Sequence, residues 1–431
     1  MSEIGSSKTL TEPAVERSAQ HREGLQGLPC AGRGALTIVV APDSFKGTST
    51  AADVAEAMAA GVRSVLGSTV NIVQCPLADG GEGTLDSFAA SASLAIREVP
   101  TVDAIGRPRI ARIGISPDGR LGVIEAAEAN GLIHVSDVDL QPMAAHSYGV
   151  GLLARELLDA GVSEVLLCIG GTASNDGGTG FLAALGARFL DDGGHEVVLG
   201  ASGLSKIRTV DLSGLHPRAS GVLIRVAVDV DNPLTGASGA ARVFGPQKGA
   251  TLTQVQEIDA GLAQLAVVIA AMSDIDVTTT AGMGAAGGMP ACLVGLLKAV
   301  IMPGSDLVLR SLGFAEQCEN ADLVITGEGA FDSQSLRGKV IEGVVRAVGD
   351  RCPIVVIAGR VALSAQEARD AGVTAALSIA RGPATMDEMA ASTTDLIYNA
   401  TAHVVAMFIA RTESPTNGEL PLGGGPSKSH R

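Results

Sequence analysis

The sequence predicts an α/β protein of two domains built on mostly parallel sheets. Three observations carry that reading. Short β-branched runs alternate with Ala-rich helical stretches along most of the chain, the pattern of strands covered by helices. The 431 residues exceed one ordinary core, since domains typically run to ~100–200 residues. The composition is 46% hydrophobic but only 2% aromatic, with 55 Gly and no Trp. A core of Ala, Val, Ile and Leu joined by many tight connections suits α/β layers.

The elements follow in chain order. Residues 1–34 mix Ser, Glu, Arg and Gly without periodicity and read as a disordered extension. Buried strands are expected at "LTIVVA" (36–41), "VNIVQC" (70–75), "EVLLCI" (164–169), "VLIRVAV" (222–228), "DLVIT" (322–326) and "PIVVIA" (353–358). Helices are expected at "STAADVAEAMAAGVRSVL", at "YGVGLLARELLDAG" and over 251–272. Thr50 and Asp53 form a T-x-x-D capping box that starts the first of these. Residues 97–126 depart from the pattern: they are rich in β-branched residues, and "PDG" at 117–119 reads as a hairpin turn. This antiparallel element opens the second domain. The last residues, 412–431, read as a loose tail.

The net charge of −15 repels nucleic acid and anionic lipid and argues against both as partners. Cysteines at 30, 75, 168, 292, 318 and 352 form no C-x-x-C pair and read as reduced core residues of a cytoplasmic protein. No apolar run approaches the ~20 residues that span a membrane. The N-terminus is polar and has no apolar signal core.

Chemistry is expected at the carboxyl ends of the strands, where parallel α/β sheets bind ligands. Five strands in succession end in a Gly-containing loop with carboxylates. The first carries Asp43, Ser44 and Lys46, and the second Asp79 and Glu82. The third is "GGTASNDGGTG", with Gly170, Gly171, Asn175 and Asp176. The fourth carries Asp229, Asp231, Asn232 and Lys248, and the fifth Glu328, Asp332, Arg337 and Lys339. One Asp after a strand is more often a turn former or helix cap than a ligand. Five such loops would ring a cleft with acids and bare backbone N–H groups.

A carboxylate ~4 Å from a phosphate oxygen is repelled by roughly 4 kcal/mol at an effective dielectric of 20. Acids beside phosphate-cradling glycines therefore make sense with a cation between them. Mg²⁺ fits, because it takes one or two carboxylates, waters and substrate phosphates. Lysines and helix N-termini supply further compensation. Phosphoryl transfer uses all of these parts, with a spare carboxylate as base.

Rival motifs are weaker. There is no G-x-x-x-x-G-K-[ST], so the chain is not a P-loop protein. "GVGLLA" (149–154) and "GMGAAG" (282–287) match the dinucleotide fingerprint but follow no apolar strand. The latter, with Gly287, reads either as a phosphate-facing helix start or as tight helix packing. His134, His146, His195 and His216 have no zinc-ligand spacing.

Seven segments in order resemble the bacterial glycerate kinase family: "IVVAPDSFKGTSTAADVAEAMAAGV", "PLADGGEGTLDSF", "EAAEANGL", "GGTASNDGGTGFLAALG", "DVDNPLTGASGAARVFGPQKGA", "GAAGGM" and "ADLVITGEGAFDSQSLRGKV". The resemblance covers about residues 35–410. It implies Mg²⁺-ATP-dependent phosphorylation of D-glycerate, with 2-phosphoglycerate as the favoured product, in glycerate, glyoxylate and sugar-acid catabolism. The rival is a phosphotransferase for another small hydroxy acid or sugar acid. The resemblance also implies a flavodoxin-like, Rossmann-type domain made of residues 35–96 and 291–411. A second α/β domain with a restriction-enzyme-like core, 97–290, is inserted in it. The expected metal and catalytic residues are Asp176 and Asp229, with Lys46 as the cationic partner of glycerate. Ser44, Asp79, Glu82, Gly170, Gly171, Asn175, Asn232, Lys248, Gly287, Glu328, Asp332 and Lys339 are the expected substrate and nucleotide contacts. A monomer and a homodimer are both compatible with the sequence.

Overall fold

The computed structural model describes residues 35–412 apart from 82, 93 and 337. The N-terminal extension, the tail beyond residue 412, Cys30, Glu82 and Arg337 lie outside the described residues. The strands are β1 (Thr37–Val40), β2 (Asn71–Gln74), β3 (Ala95–Val102), β4 (Pro108–Ile115), β5 (Leu121–Glu125), β6 (Glu164–Cys168) and β7 (Arg188–Leu190). They continue as β8 (Thr209–Asp211), β9 (Leu223–Ala227), β10 (Val300–Met302), β11 (Leu323–Phe331), β12 (Ile354–Val361) and β13 (Ala375–Ser378).

Both chain ends build the first sheet, in the order β2-β1-β11-β12-β13. Every pairing in it is parallel. Renumbered within the sheet, the order is 2-1-3-4-5, the doubly wound flavodoxin-like arrangement. Helix Ala51–Leu66 covers one face with helix Thr393–Thr412. It starts at the expected capping box, where Thr50 accepts from Asp53 N and the Asp53 carboxylate accepts from Thr50 N. The fifth expected strand is longer than its apolar run: β11 continues through "GEGAF" to Phe331, paired with β12 along its length. Glu328 and Gly329 are thus strand residues, not loop residues.

The middle of the chain builds the second sheet, in the order β3-β4-β5-β6-β9-β10. β3, β4 and β5 are antiparallel, and the rest pair in parallel. The expected turn at 117–119 joins β4 to β5, with Gly119 at φ +70° donating to Ser116 O. The sheet reaches from Ala95 to Met302, past the expected return at residue 291, because β10 pairs with β9. Helix Pro290–Leu297, placed by its sequence in the first domain, packs into the second sheet's core through Ala291, Cys292 and Leu293. β7 and β8 form a small antiparallel pair.

One apolar layer joins the two sheets. Val39 and Cys75 of the first meet Val123, Leu166 and Ala227 of the second around Leu307, Val308 and Val344. Each fully buried side chain of this kind contributes ~1.5–3 kcal/mol relative to exposure, so the sheets are fixed against each other by ordinary core packing. The described cysteines are free; Cys75, Cys168, Cys292 and Cys318 are buried. Among the described residues no helix is long and apolar enough to cross a membrane.

Candidate active site

Doubly wound sheets bind ligands outside the carboxyl ends of the strands, where the strand order reverses. Here that point lies between β1 and β11. The chain leaving β1 stays beside β11, as Asp43 N donates to Gly327 O at 2.8 Å. Asp43 is 7% exposed and accepts from Ser44 N at 2.6 Å. Burial, with Asp79 nearby, pushes its carboxyl up to about 7. Glu328, on β11, is also buried, and burial raises it above the usual carboxyl range. Its Oε1 has no hydrogen-bond partner, a costly condition unless a ligand completes it.

The chain leaving β2 adds Asp79. Leu77 N donates to Pro42 O, and Gly80 then turns at φ +83°. Gly81 N donates to Asp79 Oδ1 at 3.1 Å, and the other carboxylate oxygen lies 3.5 Å from Lys46 Nζ. Lys46 is mostly exposed, and Asp79 keeps its ammonium protonated more firmly than usual. Asp332 closes a turn by accepting from Gln334 N, and Arg360 lies 3.8 Å from it. Lys339 precedes helix Val340–Val348.

These residues line a single cavity of about 400 Å³. Asp43, Ser44, Lys46, Asp79, Glu328, Asp332 and Lys339 form its charged end. Ile379, Met389 and Ala390 lie at the other. Asp229, at the end of β9, adjoins the charged end. Its Oδ1 accepts from Gly304 N at 2.7 Å, at the start of helix Gly304–Ser311. The protein packed around it raises its carboxyl, and Asp79 adds to the effect. Water reaches the exposed side of Asp229 and screens that shift.

Among the described residues no three His, Cys, Asp or Glu side chains gather into a metal cage. Mg²⁺ needs none, because it completes its shell with waters and phosphates. The donor set fits it: Glu328 Oε1 lacks a partner, and among the described residues Asp79 Oδ2 meets only the mostly exposed Lys46. Among the described residues five carboxyl groups (Asp43, Asp79, Asp229, Glu328 and Asp332) face Lys46 and Lys339, with Arg360 near Asp332. That imbalance favours an added cation.

The comparisons with known proteins bear on the same stretch of chain. The sequence profile of the Glycerate kinase family matches residues 38–409. The chain belongs to the glycerate kinase family. A glycerate 2-kinase of Escherichia coli (strain K12) is 38% identical over 372 residues, 86% of this chain and 97% of that one. A glycerate kinase of Bacillus subtilis (strain 168) is 39% identical over 82% of this chain and 92% of its own length. A crystal structure assigned to glycerate kinase 2 from Salmonella typhimurium LT2 superposes with a TM-score of 0.80 at 38% identity. It covers 88% of this chain and 100% of that one.

Within this glycerate kinase family fold, the expected site residues separate into two groups. Ser44, Lys46, Asp79, Glu328, Asp332 and Lys339 share the cavity, with Asp229 beside it. Asp176 does not line it. Its carboxylate is fully buried and accepts from Ser147 N and Ser147 Oγ at 2.8 Å each, from Gly180 N at 3.1 Å and from Gly178 N at 3.3 Å. These bonds fasten the start of helix Thr179–Ala184 to Ser147 and use the carboxylate fully.

Asn175 and Lys248 are buried in the same cluster, where Lys248 Nζ donates to Ser174 O at 2.6 Å. Burial lowers the Lys248 ammonium to about 7. Gly170 and Gly171 form the turn from β6 toward this cluster, Gly171 at φ +69°. Gly287, at φ +68°, packs on the Asn175 backbone so closely that a Cβ would lie 2.1 Å from Ser174 O. "GMGAAGG" is therefore a tight packing segment here. Asn232 holds a separate loop through Ser238 O.

Sequence reasoning passed over Glu125. It ends β5, is 4% exposed, and accepts from Gly83 N at 3.0 Å and Leu85 N at 3.2 Å. It thus caps helix Thr84–Ala92, which follows the Asp79 loop. The signal was available, since Glu125 closes an apolar strand as the other acids do. Asp43 stood among the loop residues but not among the chosen catalytic ones. Its burial, which only the fold shows, sets it apart.

Proposed function

We propose that this chain transfers the γ-phosphoryl group of Mg²⁺-ATP to D-glycerate and favours 2-phosphoglycerate as product. The observation that carries the reading is the cavity at the strand-order reversal, where buried carboxyls and two lysines converge beside an open apolar end. Asp79 and Glu328 would hold Mg²⁺, which supplies charge neutralisation between phosphate oxygens when bound. Lys46 and Lys339 bring positive charge to the glycerate carboxylate and the phosphates. Ser44 offers a hydroxyl in the same wall. Asp43 accepts the proton of the attacking hydroxyl. A base is most effective with a pKa near the working pH, and burial gives Asp43 that property. Asp229 stands beside Asp79 and holds the helix Gly304–Ser311 in register with it. In phosphoryl transfer the protein's work is largely positioning and electrostatics, and a cavity set by two jointly packed sheets suits that work.

The test is ADP release with D-glycerate and Mg²⁺-ATP, followed by direct coupling of the product to enolase. Turnover with an enolase signal is expected. No ADP release overturns the kinase reading. A signal that appears only after phosphoglycerate mutase is added moves the product to 3-phosphoglycerate.

A further inference from the structure

The charged end of the cavity accounts for only part of its volume. The rest opens toward β12 and β13, against Ile379, Met389, Ala390 and Gly359. Ile379 follows β13 directly and is 3% exposed, with its N–H donating to Ala358 O. Met389 and Ala390 come from helix Met386–Ala391, held by the capping box of Thr385 and Glu388. Two polar side chains nearby are already engaged. Thr393 Oγ1 donates to Met389 O at 2.9 Å, and Ser378 Oγ donates to Gly359 O at 2.9 Å. At Gly359 a Cβ would come 2.5 Å from Gly329 O. The two strands therefore approach through bare backbone and leave a flat floor.

Two features decide what this end takes. Among the described residues it offers apolar surface and no ionic group, whereas a three-carbon hydroxy acid carries polar atoms on every carbon. Its distance from the charged end also matters. From the β1/β11 reversal to β13 is two to three strand spacings, roughly 10–14 Å at ~4.8 Å per strand. A three-carbon acid cannot bridge that span, and an extended nucleotide can.

We infer that Ile379, Met389 and Ala390, over the Gly359 floor, form the subsite for the purine base of the phosphoryl donor. The nucleotide then lies along the strand ends with its phosphates toward Asp79, Glu328 and Lys339. This rests on the kinase reading, and the experiment separates the two.

The perturbation is Ala390→Trp, which fills the base space, with Met389→Ala as a milder variant that removes apolar contact. Binding is measured by calorimetry with adenosine, which has the base and no phosphate, and with inorganic tripolyphosphate, which has phosphates and no base. Wild type is expected to bind both. Ala390→Trp should weaken adenosine binding at least ~10-fold, the scale of a lost apolar fit, and leave tripolyphosphate within two-fold. In turnover, KM for ATP should rise by a similar factor while KM for glycerate stays within two-fold. Met389→Ala should move the same quantities by a smaller factor, and it is decisive if Ala390→Trp does not fold. Adenosine binding unchanged in a folded variant overturns the subsite. So does a rise in KM for glycerate in place of ATP. If wild type binds adenosine but never releases ADP with glycerate, the subsite stands and the kinase reading falls.

Discussion

Replacing Asp176 distinguishes a structural carboxylate from a catalytic one. Its Oδ2 takes three hydrogen bonds, from Ser147 N, Ser147 Oγ and Gly180 N, and its Oδ1 takes the longer one from Gly178 N at 3.3 Å. In Asp176→Asn the amide oxygen can keep the first three while the NH₂ faces Gly178 N. One bond is lost, and two donors are opposed in a fully buried place. A buried donor left without its acceptor costs ~1–3 kcal/mol, so about 2 kcal/mol is expected. At ~2–4 °C per kcal/mol for a domain of a few hundred residues, Tm falls about 4–8 °C. Asp176→Ala strips all four acceptor contacts and should cost about 4–6 kcal/mol even if water enters, a large share of a typical folding free energy. Thermal melting by circular dichroism gives the first readout. Steady-state kinetics, taken well below the lower Tm, give the second. The structural role predicts kcat/KM for Asn within about three-fold of wild type, since the cavity residues are untouched. The reasoning is refuted if Asp176→Asn melts with the wild type while kcat drops ~100-fold, a loss of about 2.7 kcal/mol of transition-state stabilisation.

Three further outcomes follow from the cavity. Asp43→Asn should cut kcat by at least ~100-fold without lowering Tm at pH 7.5, because it removes a carboxylate ionised against its burial; a lowered Tm with intact kcat would reverse the assignment. Lys46→Met should leave Tm within about 1 °C, as an ion pair with so exposed a lysine contributes ~0–1 kcal/mol, yet raise KM for glycerate or lower kcat at least ~10-fold; unchanged kinetics would remove Lys46 from the site. The protein without ligands should lose stability as pH rises from 5 to 7. Asp43 and Glu125 both stand at about 7 when folded, against ordinary values of 3.8 and 4.5. The folded state therefore binds more protons than the unfolded state in that window, and the slope of stability with pH is negative. Lowered His134 opposes this near its ordinary value of 6.5, so the check is the difference between wild type and Asp43→Asn. The variant's Tm-against-pH slope should be flatter, and an equal slope would show that Asp43 does not titrate there.

The sequence disclosed more of the fold than of the site, for a physical reason. Strand and helix periodicity is local, so "LTIVVA" and the capping box at Thr50 could be read without the rest of the chain. The turn at 117–119 was equally legible. β10 was missed because "VIM" is too short to stand out, and it is fixed only by pairing with β9. The extension of β11 through "GEGAF" was hidden because its glycines look like a loop, although β12 pairs with them. At the site, the rule that acids at strand ends mark the cleft pointed to Asp79, Glu328 and Asp332, which line one cavity. It failed for Asp176, because an Asp that caps a helix and one that meets a ligand are alike in sequence. What separates them is whether the carboxylate oxygens are already used, and those of Asp176 are.

The positions of Asp79, Asp229 and Glu125 together show why the acidic loops need so much glycine. Asp79 belongs to the first sheet, while Asp229 and Glu125 end strands of the second. The loops must interlock for the acids to converge. At Gly80 a Cβ would lie 2.7 Å from the Ala227 Cβ and 2.9 Å from Gly304 Cα, and at Gly304 one would lie 2.0 Å from Asp79 O. Side chains there would push the sheets apart at the charged end of the cavity. With glycine in place, Gly304 N reaches Asp229 and Gly83 N reaches Glu125. Each carboxylate of the second sheet thereby holds backbone beside Asp79. Below this contact lies the shared layer of Val39, Leu166, Ala227 and Leu307. Acidic groups are thus brought together by apolar packing that lies outside the cavity; burial first, and the charge of Asp79 after it, raise the carboxyl of Asp43, which is the cost of that arrangement. A cation bound among them would relieve that cost. This connects the packing of the two sheets to the chemistry proposed at their junction.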